Sequence, residues 1–281
     1  MLPEENPVTL IARPGRVEFW IYGGLFAVYR TSSVAPCGFT AVYAKDRRPV
    51  LKPNEAGIVL GIARENVDGF DFTPSSNSAY PKGAIVPLST MARRGPCSVG
   101  LRQDSLWITP VGEPIIAETR IFRALPGPGP SRILDIFLHL RPCTRREIVF
   151  GNAPHDLLQL YIAEPFLRET GLARNSRGAI GSEQIHRRSA AWCGFVGVIQ
   201  KETVGFALMD HPQNPFFPTD WNLSADGTLS PSPLLWSGFA QNLAKAISLR
   251  YRLIVHDGYV DFGWTGARLQ DFAKEHLLGV P

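Results

Sequence analysis

Cysteine is scarce in this chain: four in 281 residues, at positions 37, 97, 143 and 193, with no C-x-x-C pair among them. That spacing suits neither a zinc ligand set nor a disulfide framework, and reduced thiols in a cytoplasmic protein are the expectation. Long apolar runs are missing too. No stretch of about 18 apolar residues is present, so no membrane span is expected. The opening "MLPEENPVTL" lacks the basic and apolar regions of a signal peptide. Charge is modest, at 19% of residues with a net +4, and the basic pairs Arg93-Arg94, Arg145-Arg146 and Arg187-Arg188 are scattered. A nucleic-acid partner needs a concentrated basic surface, so none is expected. Nucleotide-cofactor motifs are absent: no G-x-G-x-x-G follows a strand and no G-x-x-x-x-G-K-[ST] occurs. No G-x-S-x-G marks a nucleophile elbow. The reading therefore calls for no cofactor and no metal. It leaves the oligomeric state open and points to a small-molecule substrate as the partner.

Glycine (26) and proline (24) are abundant and break the chain into short pieces. Between them lie alternating runs: "RVEFWIYG", "PIIAETRIFRAL", "RILDIFLHLR", "LLQLYIAEPF" and "SLRYRLIVHDG". "GVIQKETVGFAL" reads as a hairpin turning near Lys201-Glu202. No strand–helix–strand order appears, which disfavours a parallel sheet. The expectation is a single all-β domain over 1–281, an antiparallel β-sandwich or supersandwich. One helix is expected near 265–278, with Thr265 as N-cap, Gly279 as its stop and His276 as a boundary residue.

Alternation assigns faces. In "RILDIFLHLR", Leu134, Ile136, Leu138 and Leu140 share the apolar face, opposite Asp135, Phe137, His139 and Arg141. In "SLRYRLIVHDG", Leu249, Tyr251, Leu253 and Val255 oppose Ser248, Arg250, Arg252, Ile254 and His256. Two such strands could line one polar, concave cleft, or each could carry an ordinary solvated face. The stretch "ALMDHPQNPFFPTDWNL" (207–223) ends a strand in a proline-stiffened loop, placing Asp210 and His211 on opposite faces. Asp210 could then be structural, accepting loop amides. Its three X-Pro bonds raise the chance of a cis peptide.

"MDHPQNPFFPTDWNL" followed by "SLRYRLIVHDG" resembles the paired signature of the DUF6807 family, also labelled methane oxygenase PmoA. "HRRSAAWCGFVG" (186–197) and "GEPIIAETRIF" with "RILDIFLHL" resemble further blocks of it, so that the likeness runs over about residues 10–262. The resemblance implies a galactose-mutarotase-like supersandwich that binds sugars on a concave sheet. It carries over most directly to Asp210, His211, Asn214, Trp221, Arg187, Arg252 and His256. The chain departs from the family pattern at "PNEAGIVLGIARENVDGFDF", which lacks a double histidine, at Gly194 in place of an Asp and at Tyr161 in place of an Arg.

The first functional expectation is a cofactor-independent acid/base enzyme of isomerase, lyase, hydrolase or cyclase type. It would act on a small hydroxylated or sugar-like molecule, in specialised metabolism. His211, His256, Asp210 and Arg252 would be catalytic. Asn214, Trp221, Arg187, His186, Asp135 and Glu118 would bind substrate. The alternatives are a carbohydrate-binding module stacking sugars on Trp107, Trp192, Trp221 and Trp236, and a metal-dependent oxygenase using Asp210, His211 and His256.

Overall fold

The computed structural model describes residues 6–31, 36–54, 56–74, 78–154, 156–168, 171–232 and 241–275. Nineteen strands are seen there: β1 (Val8–Arg13), β2 (Arg16–Ile21), β3 (Gly24–Arg30), β4 (Gly38–Val42), β5 (Leu60–Ile62), β6 (Ala84–Arg94), β7 (Val99–Ile108), β8 (Pro114–Pro126), β9 (Ser131–Pro142), β10 (Ile148–Phe150), β11 (Leu158–Tyr161), β12 (Leu172–Asn175), β13 (Arg188–Ser189), β14 (Trp192–Ile199), β15 (Glu202–Asp210), β16 (Asp220–Leu223), β17 (Thr228–Pro231), β18 (Gln241–Leu243) and β19 (Ile247–Asp257). Two helices accompany them, α1 (Ser182–Ile185) and α2 (Phe262–Lys274).

A nine-stranded sheet runs β1-β2-β3-β4-β5-β11-β17-β16-β13, and an eight-stranded sheet runs β12-β14-β15-β19-β9-β8-β7-β6. Strands β10 and β18 form a separate ribbon. Neighbouring strands pair antiparallel throughout, as in β15 with β19 and β19 with β9. The mainly antiparallel, sandwich-like expectation is met. The inner faces of the two large sheets share one continuous apolar core, from Phe19, Phe39 and Leu60 to Leu138, Phe206 and Leu253. Strand alternation puts Leu134, Ile136, Leu138 and Leu140 of β9 in that core beside Leu249, Tyr251, Leu253 and Val255 of β19.

The β14–β15 hairpin turns at Gln200 and Lys201, both with positive φ (53° and 69°), between the paired Ile199 and Glu202. Two left-handed residues give the twist that a two-residue antiparallel turn requires. Helix α2 starts three residues before the expected Thr265. Asp261 is the N-cap: its carboxylate accepts the Trp264 amide at 2.7 Å. The Thr265 hydroxyl instead turns back to the Asp261 carbonyl at 3.2 Å. The expected stop at Gly279 and the residue His276 lie outside the described residues, as does Trp236.

Helix α2 lies on the outer face of the eight-stranded sheet. Its Phe272 completes a second, smaller apolar cluster with Ile133, Trp192, Ala207, Met209 and Ile254. These are the alternate residues of the same strands that feed the main core. No helix among the described residues is long and apolar enough to cross a membrane.

Candidate functional site

The residues singled out by sequence fall into three separate places. The first is the joint between sheet and helix. Arg252 Nε donates to Asp135 Oδ1 at 2.6 Å, and its Nη2 to Asp135 Oδ2 at 3.0 Å and to Glu275 Oε1 at 2.8 Å. Arg123 reaches the same two carboxylates from β8. The Arg252 guanidinium lies 4.6 Å from the centre of the Phe272 ring. His211 sits edge-on to that ring at 4.7 Å. Burial, and next the positive charge of Arg250, hold His211 below its usual pKa. His256, at the far end of β19, donates from Nδ1 to the Gly258 carbonyl (2.9 Å) and meets Trp264 of α2 edge-on at 5.5 Å. Burial pushes its pKa down to about 4, so it is neutral at neutral pH. The polar face that suggested a concave cleft is thus the seat of α2, with His211, just past β15 beside Arg250, at one end and His256 of β19, opposite Gly205, at the other.

The second place is the 211–219 loop. Asp210 and His211 do point to opposite faces. The Asp210 carboxylate accepts Asn214 Nδ2 at 2.7 Å and the Thr219 amide at 2.9 Å. Asn214 also pairs with the backbone of Arg250, donating to its carbonyl and accepting its amide, each at 2.7 Å. It acts as one more rung of the ladder beyond the end of β15. Burial raises the Asp210 pKa to about 6, against the lowering pull of Asn214 and the loop amides. Trp221 is fully buried, its Nε1 on the Ala190 carbonyl at 2.7 Å. Nearby, His186 Nδ1 accepts the Leu223 amide at 3.3 Å, and Arg187 is exposed with φ 55°. One of the three X-Pro bonds, Phe217–Pro218, is cis.

The third place is between the sheets. Glu118 accepts Trp107 Nε1 at 2.6 Å and holds Arg120 through two bonds, one of them at 3.0 Å. Burial alone would lower the Arg120 pKa, but Glu118 beside it carries the pKa above the usual guanidinium value. Trp107, Trp192 and Trp221 are all buried and present no free ring face for a sugar.

The concavity that touches His211, Asp135 and Glu275 holds only about 20 Å³, and a roomier cleft is built from other residues. A cleft of about 480 Å³ opens over β11 and β17 and is walled by Lys52, Asn54, Glu65, Gln159, Tyr161 and Thr228. A second lobe of about 270 Å³ shares Asn54, Gln159 and Tyr161 and runs on to Phe72 and Arg120. The first volume is on the scale of ligand sites, which run roughly 300–1,000 Å³, and the second falls just below it. Asn54 turns the chain at its rim, its Oδ1 accepting the Ala56 and Ile58 amides at 3.0 and 2.9 Å. Gln159 is pinned by bonds to the Ala63 and Asp156 carbonyls (3.0 and 3.2 Å) and accepts the Tyr161 hydroxyl at 2.9 Å. Burial raises the Tyr161 pKa, with Asn54 opposing and Asp226 adding to the rise. Glu65 is half-buried and accepts the Ser78 hydroxyl at 2.6 Å. At the floor, Thr228 Oγ1 is buried with no hydrogen-bond partner among the described residues.

Of the positions chosen from sequence, only Glu118 adjoins this cleft, through Arg120. The signal that could have found it lay in the departures from the family pattern: Asn54, Ala56 and Tyr161 all line it. Among the described residues, no three His, Cys, Asp or Glu side chains come together as a metal site.

The model of DUF6807, a family of unknown function, matches residues 57–267. That span begins later than the resemblance suggested and runs into α2. No curated protein matches. Among solved structures, the 4-alpha-glucanotransferase from Thermococcus litoralis is 9% identical with a TM-score of 0.33, over 91% of this chain. This chain spans only 38% of that protein's length. The protein HI1317 is also 9% identical, with a TM-score of 0.29, over 89% of this chain and 99% of its own.

Proposed function

Because the chain belongs to the DUF6807 family, whose function is unknown, we propose a reading built from the cleft itself: it takes up a small hydroxylated, sugar-like molecule and moves a proton on it without a cofactor. One observation carries this reading. The cleft wall carries amide, phenol and hydroxyl groups held in place by the fold beside Lys52, Glu65 and Asp226, with a buried, unpartnered Thr228 hydroxyl at its floor. A buried polar atom without a partner costs about 1–3 kcal/mol. A ligand hydroxyl reaching Thr228 recovers that cost, whereas an apolar ligand does not. Pre-oriented amide, phenol and hydroxyl groups among one cation and two carboxylates suit a polyol better than an anion. Glu65 is the carboxylate on the wall that we assign as general acid/base, with Tyr161 as the hydroxyl that orients the reacting oxygen.

The supersandwich of the galactose-mutarotase kind remains our reading of the two-sheet architecture. The four free cysteines suit a reducing compartment such as the cytoplasm. A purely binding role is favoured by one observation: Asp210, Arg252, His211 and His256 are all engaged in packing or in bonds that hold the fold. The two readings part at Glu65. Saturation-transfer NMR against a panel of mono- and disaccharides finds the ligand, and Glu65→Gln is then tested for binding and turnover. Retained binding with lost turnover supports the enzyme. Turnover in neither protein supports the binding module. No saccharide bound by the wild type, or binding unchanged in both Tyr161→Phe and Thr228→Val, refutes the site.

A further inference from the structure

A second concavity, of about 530 Å³, lies where the β2–β3 hairpin meets the ends of β9 and β19, and it shares no lining residue with the cleft. Its wall carries Trp20, Lys45, Arg47, Arg132 and Asp257. Arg48 joins from behind, because Asp257 serves both guanidinium groups, at 3.5 Å to Arg48 and 3.7 Å to Arg132. Those separations exceed the roughly 2.7–2.9 Å of a close charge-assisted bond. The Nε atoms of Arg48 and Arg132 are buried with no hydrogen-bond partner among the described residues. Four cations (Lys45, Arg47, Arg48 and Arg132) face two carboxylates (Asp46 and Asp257). The nearby Glu18 is already held by Arg16 and by Trp20 Nε1. Burial pulls the Arg132 guanidinium below its usual pKa, and Asp257 and Asp46 only partly oppose this.

The backbone around the concavity is strained. Asp46 and Arg47 are non-glycine residues at φ 54° and 57°, whereas Tyr22 and Gly23 (φ 49° and 68°) make the ordinary two-residue turn between the paired Ile21 and Gly24. Left-handed residues of this kind persist where the surrounding structure enforces them, and they gather at ligand sites. Local charge and geometry thus agree. Two guanidinium groups share one carboxylate at long range, two exposed cations stand at the rim, and a half-buried indole forms one wall.

We propose that this concavity binds an oxyanion, phosphate or carboxylate, carried on a flat body that packs against Trp20. A planar guanidinium fork can meet two oxygens of a carboxylate or a phosphate at once. The anion completes the charge that Asp257 and Asp46 together leave short, and the indole selects a ring over a bare ion. The site is independent of the hydroxylated-ligand cleft.

The test is isothermal titration of the full chain with phenyl phosphate, benzoate and inorganic phosphate. Phenyl phosphate or benzoate is expected to saturate one site and to bind more tightly than inorganic phosphate. A preference for the first assigns a phosphoryl ligand, and for the second a carboxylate. Arg132→Gln is expected to weaken binding by about tenfold or more, the scale of losing one charge-assisted fork. Lys45→Ala with Arg47→Ala, at exposed positions that the fold does not need, is expected to weaken it several-fold and to steepen no thermal transition. Absence of saturable binding by both aromatic anions overturns the proposal. So does undiminished affinity in the Lys45→Ala/Arg47→Ala protein, which remains informative if Arg132→Gln does not fold.

Discussion

Removing the Asp135 carboxylate by Asp135→Ala tests what the Arg252 side chain is for. Arg252 and Asp135 are 2% and 8% exposed, so the pair is effectively buried, and it closes with two bonds of 2.6 and 3.0 Å. Stripping one partner from such a pair costs about 3–5 kcal/mol, because the other charge stays buried without compensation. Glu275 still faces Arg252 at 2.8 Å, but it is 35% exposed and screened by solvent, so it offsets less than about 1 kcal/mol. The expected loss is therefore near the lower bound, about 3 kcal/mol. Replacing both partners by apolar residues of similar size, Asp135→Leu with Arg252→Met, leaves the half-exposed Arg123 paired with Glu275 and is expected to fall within about 1 kcal/mol of the wild type. Urea unfolding followed by tryptophan fluorescence measures both, since Trp192 and Trp264 lie under and on α2. An unchanged slope with denaturant confirms that stability, rather than the extent of unfolding, has moved. Binding in the cleft is expected to survive in the double variant. The reasoning is refuted if Asp135→Ala costs under about 1 kcal/mol, or if the double variant is as unstable as the single one.

Three further outcomes follow from the same structure. Burial raises the folded pKa of Asp210 from the ordinary 3.8 to about 6, so its favourable contribution is complete below about pH 4 and is lost as pH rises through about 6, to the extent of roughly 3 kcal/mol. Asp210→Asn is expected to flatten the pH dependence of urea stability over that window, and an unchanged slope counts against it. For His256 the sign is opposite: its folded pKa is depressed from 6.5 to about 4, so its contribution is present above 6.5 and is lost as pH falls through about 4. The His256 ring signal in an NMR titration is expected to stay at its neutral position at pH 5.5, and a midpoint near 6.5 contradicts the burial. Gly205→Ala places a methyl 2.3 Å from the His256 ring and 2.8 Å from the Phe195 carbonyl, inside contact distance. It is expected to destabilise by about 1–3 kcal/mol, as overpacking does, measured by thermal unfolding.

Strand periodicity was readable because each face of β9 and β19 meets a different surround. Leu134 and Leu253 go to the main core, while Asp135 and Arg252 go to the other face, as their alternation requires. What covers that other face was not readable. The Asp135–Arg252 contact joins residues 117 positions apart, and its register is set by how β9 meets β19. The periodicity of α2 showed an amphipathic helix, but not the sheet face it would occupy. Polar residues on a strand look the same whether they await a ligand or a helix. The cleft was harder still. Asn54 and Gln159 are neutral amides, and Asn in a proline- and glycine-rich stretch reads first as a turn former, which Asn54 also is. The histidines drew attention through their chemistry, yet His211 and His256 are used as packing rings.

Strand β19 lies in the middle of the eight-stranded sheet, with β6–β9 on one flank and β12, β14 and β15 on the other. The first flank is a simple meander of residues 84–142, able to assemble from local hairpins, and β14–β15 is a hairpin in its own right. Among the described strands, β19 is the one that pairs with both. Until residues 247–257 dock, each flank ends in a bare edge, at β9 and at β15, whose backbone groups have no partner. Closing the sheet brings together segments more than a hundred residues apart, an order of events that makes folding slow and leaves those two edges open to mispairing with other chains. The fold is thus completed by insertion at its centre rather than by growth at its rim, and crowded or chaperone-poor expression is where that late step would first fail.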